Sequence, residues 1–193
     1  MAPRVKVTKE DIVKTAVSLV RESGEEGINA RAVAAALGCS TQPVFSNFAS
    51  MEALRAAVSE AAFGRYLGFL RAEAEKGKYP AYKAFGMAYI RFASEERELF
   101  KLLFMCDRGG EPLGQTEDFE TSVQMLMKTN GLTEARARRM HFEMWSCVHG
   151  LAVMAATSFL TQSEAAVSEM LTDVYQGLRA RHISEETDAS NRN

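Results

Sequence analysis

The chain reads as an all-α protein of about nine helices, a compact three-helix unit containing a helix-turn-helix followed by a larger helical domain. Three observations predict this. Apolar residues recur three and four apart along most of the chain rather than in alternation. Only four prolines interrupt its 193 residues, and alternating β-branched runs are few. Glycine or asparagine closes the periodic segments, at Gly24, Gly38, Gly77 and Asn130-Gly131, where a helix end favours a residue tolerant of positive φ.

The elements follow in order. Thr8 and Asp11 are spaced as a capping box, with Asp in the usual place of Glu, and the helix they open runs to about 23. Ile12, Ala16 and Leu19, with Val13, Val17 and Val20, give it an apolar stripe. Asn29 caps a second, alanine-rich helix over 31–37. Ser40 or Thr41 caps a third over 41–48, with Pro43 in the first turn where a missing N–H costs little. Phe45 and Phe48, three apart, are expected on one face, which leaves Thr41, Gln42, Ser46 and Asn47 pointing outward. A long helix spans 50–76, and others are expected at 81–93, 95–106, 116–129, 133–160 and 163–181. Gly109, Gly110 and Gly114 mark a loop. The division expected is 1–50, 51–182, and a polar tail 183–193 without regular structure.

Composition bounds the function. A hydrophobic fraction of 47% supports a packed core, 25% charged residues is ordinary, and the net charge is −2. The N-terminal segment lacks a signal-type apolar core, and the apolar run 150–160 is too short to span a bilayer. Cys39, Cys106 and Cys147 are an odd count without a CxxC spacing, as expected of reduced thiols in a cytoplasm. A soluble cytoplasmic protein with no membrane partner is therefore expected. No nucleophile–base spacing, phosphate loop or paired-carboxylate motif points to an enzyme. His141 and His149 stand eight apart without further ligands nearby, so no metal and no cofactor is expected.

Two short helices joined by a glycine turn, the second opening with small polar residues, suit insertion into the major groove of double-stranded DNA. Thr41, Gln42 and Pro43 are the candidate base readers, Gln through adenine N6 and N7, Thr or Pro through a thymine methyl. Arg31 can reach a base or phosphate, and Arg4 and Lys6 can follow the adjacent backbone. Residues 1–54 hold three Lys, three Arg and six acids, and 32–54 hold no Lys or Arg at all. Residues 1–21, with five basic side chains against two acids, must then supply most of the phosphate attraction, and the salt dependence of binding should be shallower than for a typical basic repressor.

These residues resemble the tetracycline-repressor (TetR) family of dimeric transcriptional regulators. The likeness is carried by Ala16, Leu19, Gly27, Arg31, Val33-Ala34, Leu37-Gly38, Ser40, Phe45, Phe48, Glu52 and Leu54. Trp145, His149 and Gly150 resemble the Trp–His–Gly signature of one class of ligand-binding domain in that family, and the run 98–104 is similar to the helix that precedes it. The resemblance implies a dimer that binds a palindromic operator and is released by a small-molecule effector, with Ser40, Phe45, Ser46 and Asn47 joining the DNA-facing set. Relatives usually carry Tyr where this chain has Phe45, and Lys where it has Met51; both commonly touch phosphates. Phe45 can donate no hydrogen bond and Met51 carries no charge, while the Asn47 amide retains donors.

In the larger domain Met87, Phe92, Phe100, Phe104, Met125, Phe142, Trp145 and His149 can line a cavity for an apolar or amphipathic ligand, with Met154 nearby. For any one of them ordinary core packing is the favoured reading. Trp145 and His149, four apart, should touch, and His149 is either a ligand's hydrogen-bond partner or a satisfied core histidine. The last two helices are the expected dimer face, with Ala152, Ala155 and Ala156 permitting close approach and Leu171, Val174 and Leu178 forming a stripe. The competing reading is a helical dimeric binding module without direct transcriptional output.

Overall fold

A computed structural model describes residues 7–107, 117–160 and 162–190. Among these, nine α-helices form in chain order: α1 Lys9–Ser23, α2 Ala30–Ala36, α3 Gln42–Asn47, α4 Met51–Glu75, α5 Ala81–Glu95, α6 Arg97–Phe104, α7 Glu117–Asn130, α8 Glu134–Ala156 and α9 Glu164–Ser190. They make two compact units, one of the described residues up to Gly68 with Glu95–Cys106, the other of Phe69–Ser94 and the described residues from Asp107 on. The anticipated loop at 109–114 lies outside the described residues.

In the first unit the local signals act as read. The Thr8 hydroxyl accepts from the Asp11 amide at 3.1 Å while the Asp11 carboxylate accepts from the Thr8 amide at 2.9 Å, closing the capping box. Ile12, Ala16 and Val20 form the buried stripe of α1. The Asn29 side-chain oxygen accepts from the Ala32 amide at 2.9 Å. Replacing Asn29 by Ala is expected to cost about 1 kcal/mol in urea denaturation, the value of one satisfied N-cap. Gly38, at φ +65°, ends α2 in the left-handed region. Val33, Ala34, Val44 and Phe48 seal the three-helix core. Thr41 is a correction: it stands before α3 in a helical conformation and its side chain makes no capping hydrogen bond.

The first unit reaches further than the 1–50 division. Leu54, Val58, Ala62 and Tyr66 recur four apart along α4 and are buried, and Arg55 binds the Glu25 carboxylate at 3.0 Å and the Ile28 carbonyl at 3.2 Å. Helix α6 packs on α1, with Leu99 and Phe100 fully buried. Glu96, 4% exposed, accepts from the Nε of Arg21 at 2.7 Å and from the Nε of Arg65 at 2.8 Å, tying α1, α4 and the start of α6 together.

In the second unit, Val123, Leu126, Leu132, Ala137 and Met140 form a core against which Tyr82, Phe119, Tyr175, Leu178 and Ile183 pack. The chain turns after α7 at Gly131, φ +66°. Helix α8 stops at Ala156, short of 160, where Ser158 turns to φ +56°. Helix α9 continues to Ser190 instead of ending near 181. His182 is fully buried, and Arg136 of α8 binds Glu185 and Glu186, both at 2.6 Å, so ion pairs hold a stretch whose composition alone is that of a tail. Ala152, Ala156 and Leu171 are buried within this unit, Leu178 packs on its core, and Ala155 and Val174 are half-buried. Among the described residues no helix is long and apolar enough to cross a membrane.

Candidate nucleic-acid interface and ligand site

Helix α3 is one and a half turns long, and its inward face is set by Val44 and Phe48, 1% and 5% exposed. Phe45 does not share that face, contrary to the expectation from three-residue spacing: it stands 55% exposed. Phe48 lies one residue past the helix end in extended backbone, which redirects its ring into the core. Ser40, Gln42 and Ser46 are exposed, and Thr41, Pro43 and Asn47 are half-buried. The Ser46 hydroxyl donates to the Gln42 carbonyl at 2.9 Å and the Asn47 amide to the Pro43 carbonyl at 2.8 Å, so both side chains fold back on their own helix. What α3 presents outward is thus the Gln42 amide beside the Phe45 ring.

The cations around it are fewer than the sequence count. The Lys9 ammonium lies over the Phe48 ring at 5.2 Å, and Arg21 is held by Glu96. Lys14 and Arg31 are exposed, with no ion pair to either among the described residues. Arg4 and Lys6 lie outside the described residues.

The residues proposed for a ligand cavity separate into the two units. Phe100 and Phe104 belong to the first, where Phe104 packs on Phe100 at 5.3 Å and edge-on against Tyr66 at 5.2 Å. Phe92 and Met87, both buried on α5, belong to the second with half-buried Met125. Phe92 meets Phe69 edge-on at 5.2 Å. On α8, Phe142, Trp145 and His149 form a ladder: Trp145 stacks on the imidazole at 4.7 Å and 14°, and Phe142 on Trp145 at 6.3 Å and 22°. Phe142 ends the ladder at the surface, 46% exposed.

Sequence reading missed the hydroxyl that completes this ladder. Tyr89 of α5 lies 2.9 Å from His149 Nδ1, and burial lowers the His149 pKa, favouring the neutral ring. With Tyr89 donating, the imidazole carries its proton on Nε2. A second pair repeats the pattern: Tyr82 lies 2.8 Å from His141 Nδ1, and Phe119 meets that ring edge-on at 4.4 Å. The signal was available, since two tyrosines seven apart on one helix face two histidines eight apart on another. Burial pushes His141 down to about 4 and raises Tyr82. Near them, burial alone would raise Glu143, but hydrogen bonds from His182, Arg181 and Arg139 outweigh it and hold the carboxyl at about 2. Burial raises the Cys147 thiol, which disfavours the reactive thiolate. No group of metal-ligating side chains occurs among the described residues.

Comparison with known proteins places this arrangement. Residues 82–187, more than half of the chain, match the family model described as "Tetracyclin repressor-like, C-terminal domain". An uncharacterised HTH-type transcriptional regulator of Mycobacterium tuberculosis is 22% identical over 94% of this chain and 86% of its own length. Among solved structures, a protein of unknown function from Rhodococcus sp. RHA1 superposes with a TM-score of 0.70 at 21% identity, over 91% of this chain and 97% of that one. The multidrug binding protein EbrR, complexed with imidazole, does so with a TM-score of 0.58 at 15% identity, over 86% and 93%. An N-terminal helix-turn-helix with an exposed second helix, followed by a helical domain that matches this model, identifies the chain as a member of the tetracycline-repressor family of transcriptional regulators, proteins that act by binding DNA rather than by catalysis.

Proposed function

We propose that this regulator is a ligand-responsive repressor that binds a palindromic operator as a homodimer and leaves it when a small apolar or amphipathic molecule occupies a Trp–His–Gly-type second domain. The observation that carries the reading is the outward face of α3, where Gln42 and Phe45 are exposed while Val44 and Phe48 are locked into the core. A short helix held this way offers base-reading groups on a rigid support. Exposed Phe142 and Met170, on α8 and α9, are the apolar groups a second copy would cover. A two-fold dimer then sets two copies of α3 about 34–36 Å apart, or a multiple of that.

The effector site is the ladder of Trp145 and His149 with Tyr89; a flat apolar wall with one imidazole suits an amphipathic molecule. The multidrug binding named for one structural relative agrees with an adaptable site of this kind. Helix α4, which runs through both units, is the lever by which occupancy moves α3. A ligand releases DNA only to the extent that it binds the two states unequally.

Fluorescence anisotropy with the duplex flanking the protein's own coding region tests this. Arg4, Lys6, Lys14 and Arg31 give at most eight phosphate contacts per dimer, so the log–log salt slope should be no steeper than about −7. A steeper slope means that the phosphate contacts lie elsewhere, and failure to bind any duplex leaves a dimeric binding module without transcriptional output.

A further inference from the structure

We propose that Phe45 reads a thymine in the operator through its 5-methyl group, next to the base read by Gln42; this rests on the DNA-binding reading above. Phe45 is 55% exposed and is the exposed aromatic side chain of the first unit among the described residues. Its exposure is imposed by the fold: Val44 on α3 and Phe48 just past its end take the inward places, which leaves Phe45 at the surface. A phenyl ring makes no hydrogen bond to a phosphate and carries no charge, so it cannot serve as a backbone anchor. Among base edges in the major groove the apolar feature is the thymine 5-methyl, and phenylalanine is one of the side chains that meets it.

The neighbours of Phe45 favour this role. Gln42, one turn earlier on the same exposed face, carries the amide that pairs with adenine N6 and N7. Ser46 turns its hydroxyl back onto the Gln42 carbonyl, and no Lys or Arg occurs from 32 to 54. The helix that carries the ring therefore has no basic side chain of its own to compete with an apolar contact. An apolar contact releases no counterions, so its loss lowers affinity without changing the salt slope; the loss of a phosphate contact changes the slope by about one per site.

The test uses the full chain, its footprinted operator, and operators in which each symmetry-related pair of thymines is replaced by deoxyuridine, which removes only the methyl group. At the value of one buried methyl, the read pair weakens wild-type binding about fourfold per half-site, roughly fifteenfold for both. Phe45→Ala binds the native operator about as weakly as wild type binds that deoxyuridine operator, and no longer distinguishes the two. Phe45→Leu keeps part of the discrimination, and both variants keep the wild-type salt slope. The proposal is overturned if no deoxyuridine pair weakens wild-type binding, if Phe45→Ala retains full sensitivity at every pair, or if its salt slope falls. Absence of wild-type binding to any duplex overturns the DNA-binding reading, and this proposal with it. Melting of Phe45→Ala should match wild type, because the side chain lies outside the core.

Discussion

Replacing Arg21 and Arg65 together by Ala is expected to destabilise the protein by about 3–5 kcal/mol, whereas either replacement alone costs about 1–2. The asymmetry comes from Glu96. Its carboxylate is 4% exposed, while both arginines are 47% exposed. One guanidinium suffices to compensate the buried charge, so losing the other removes only charge-assisted hydrogen bonds that solvent partly screens. Losing both strands a carboxylate away from water, which is the costly state. Urea denaturation of the two single variants and the double variant measures the coupling, and simple additivity would contradict it. Adding Glu96→Gln to the double variant should recover much of the loss.

The second large effect is acid sensitivity set by His141. Burial holds its folded pKa at about 4 against an ordinary value of 6.5, and the negative charge of Asp118 on α7 offsets only part of this. Around the ring stand Tyr82 from α5 and Phe119 from α7, which leaves the imidazolium poorly solvated. Because the folded pKa lies below the unfolded one, the unfolded chain takes up the proton first as pH falls. The stabilisation is complete above about 6.5 and drains away toward pH 4, at up to about 1.4 kcal/mol per unit and about 3 kcal/mol in total. Chemical denaturation at pH 7, 6, 5 and 4 should show this loss in wild type and a flatter profile in His141→Asn. Glu143 acts in a separate window: its carboxyl at about 2 contributes stability that disappears only below about 4.5. A profile with no decline between 6.5 and 4.5 would remove His141 as the cause.

Much of the first unit was readable without coordinates because its signals are local. The Thr8–Asp11 box, the Asn29 cap and the glycine stops each depend on residues within one turn of one another. The Trp145–His149 contact was readable for the same reason, since four residues is one helical turn. The candidate site was less legible. Three-residue spacing grouped Phe45 with Phe48, but α3 ends at Asn47, and past a helix end helical spacing no longer says where a side chain points. The ligand set mixed residues of two units because apolar character alone does not say which core a side chain enters.

The chain by itself determined which segments are helical, the caps at Thr8 and Asn29, the glycine stops and the family pattern, all of which follow from periodicity and from hydrogen bonds between near neighbours. Only the tertiary structure decided which partner each polar group meets. Glu96 finds Arg21 across 75 residues, Tyr82 finds His141 across 59, and Arg136 finds Glu185 across 49, keeping α9 helical through a segment with the composition of a tail. Such pairs leave no periodic trace, because a buried polar group must be satisfied by whatever the packed chain brings within about 3 Å, whatever its distance in sequence.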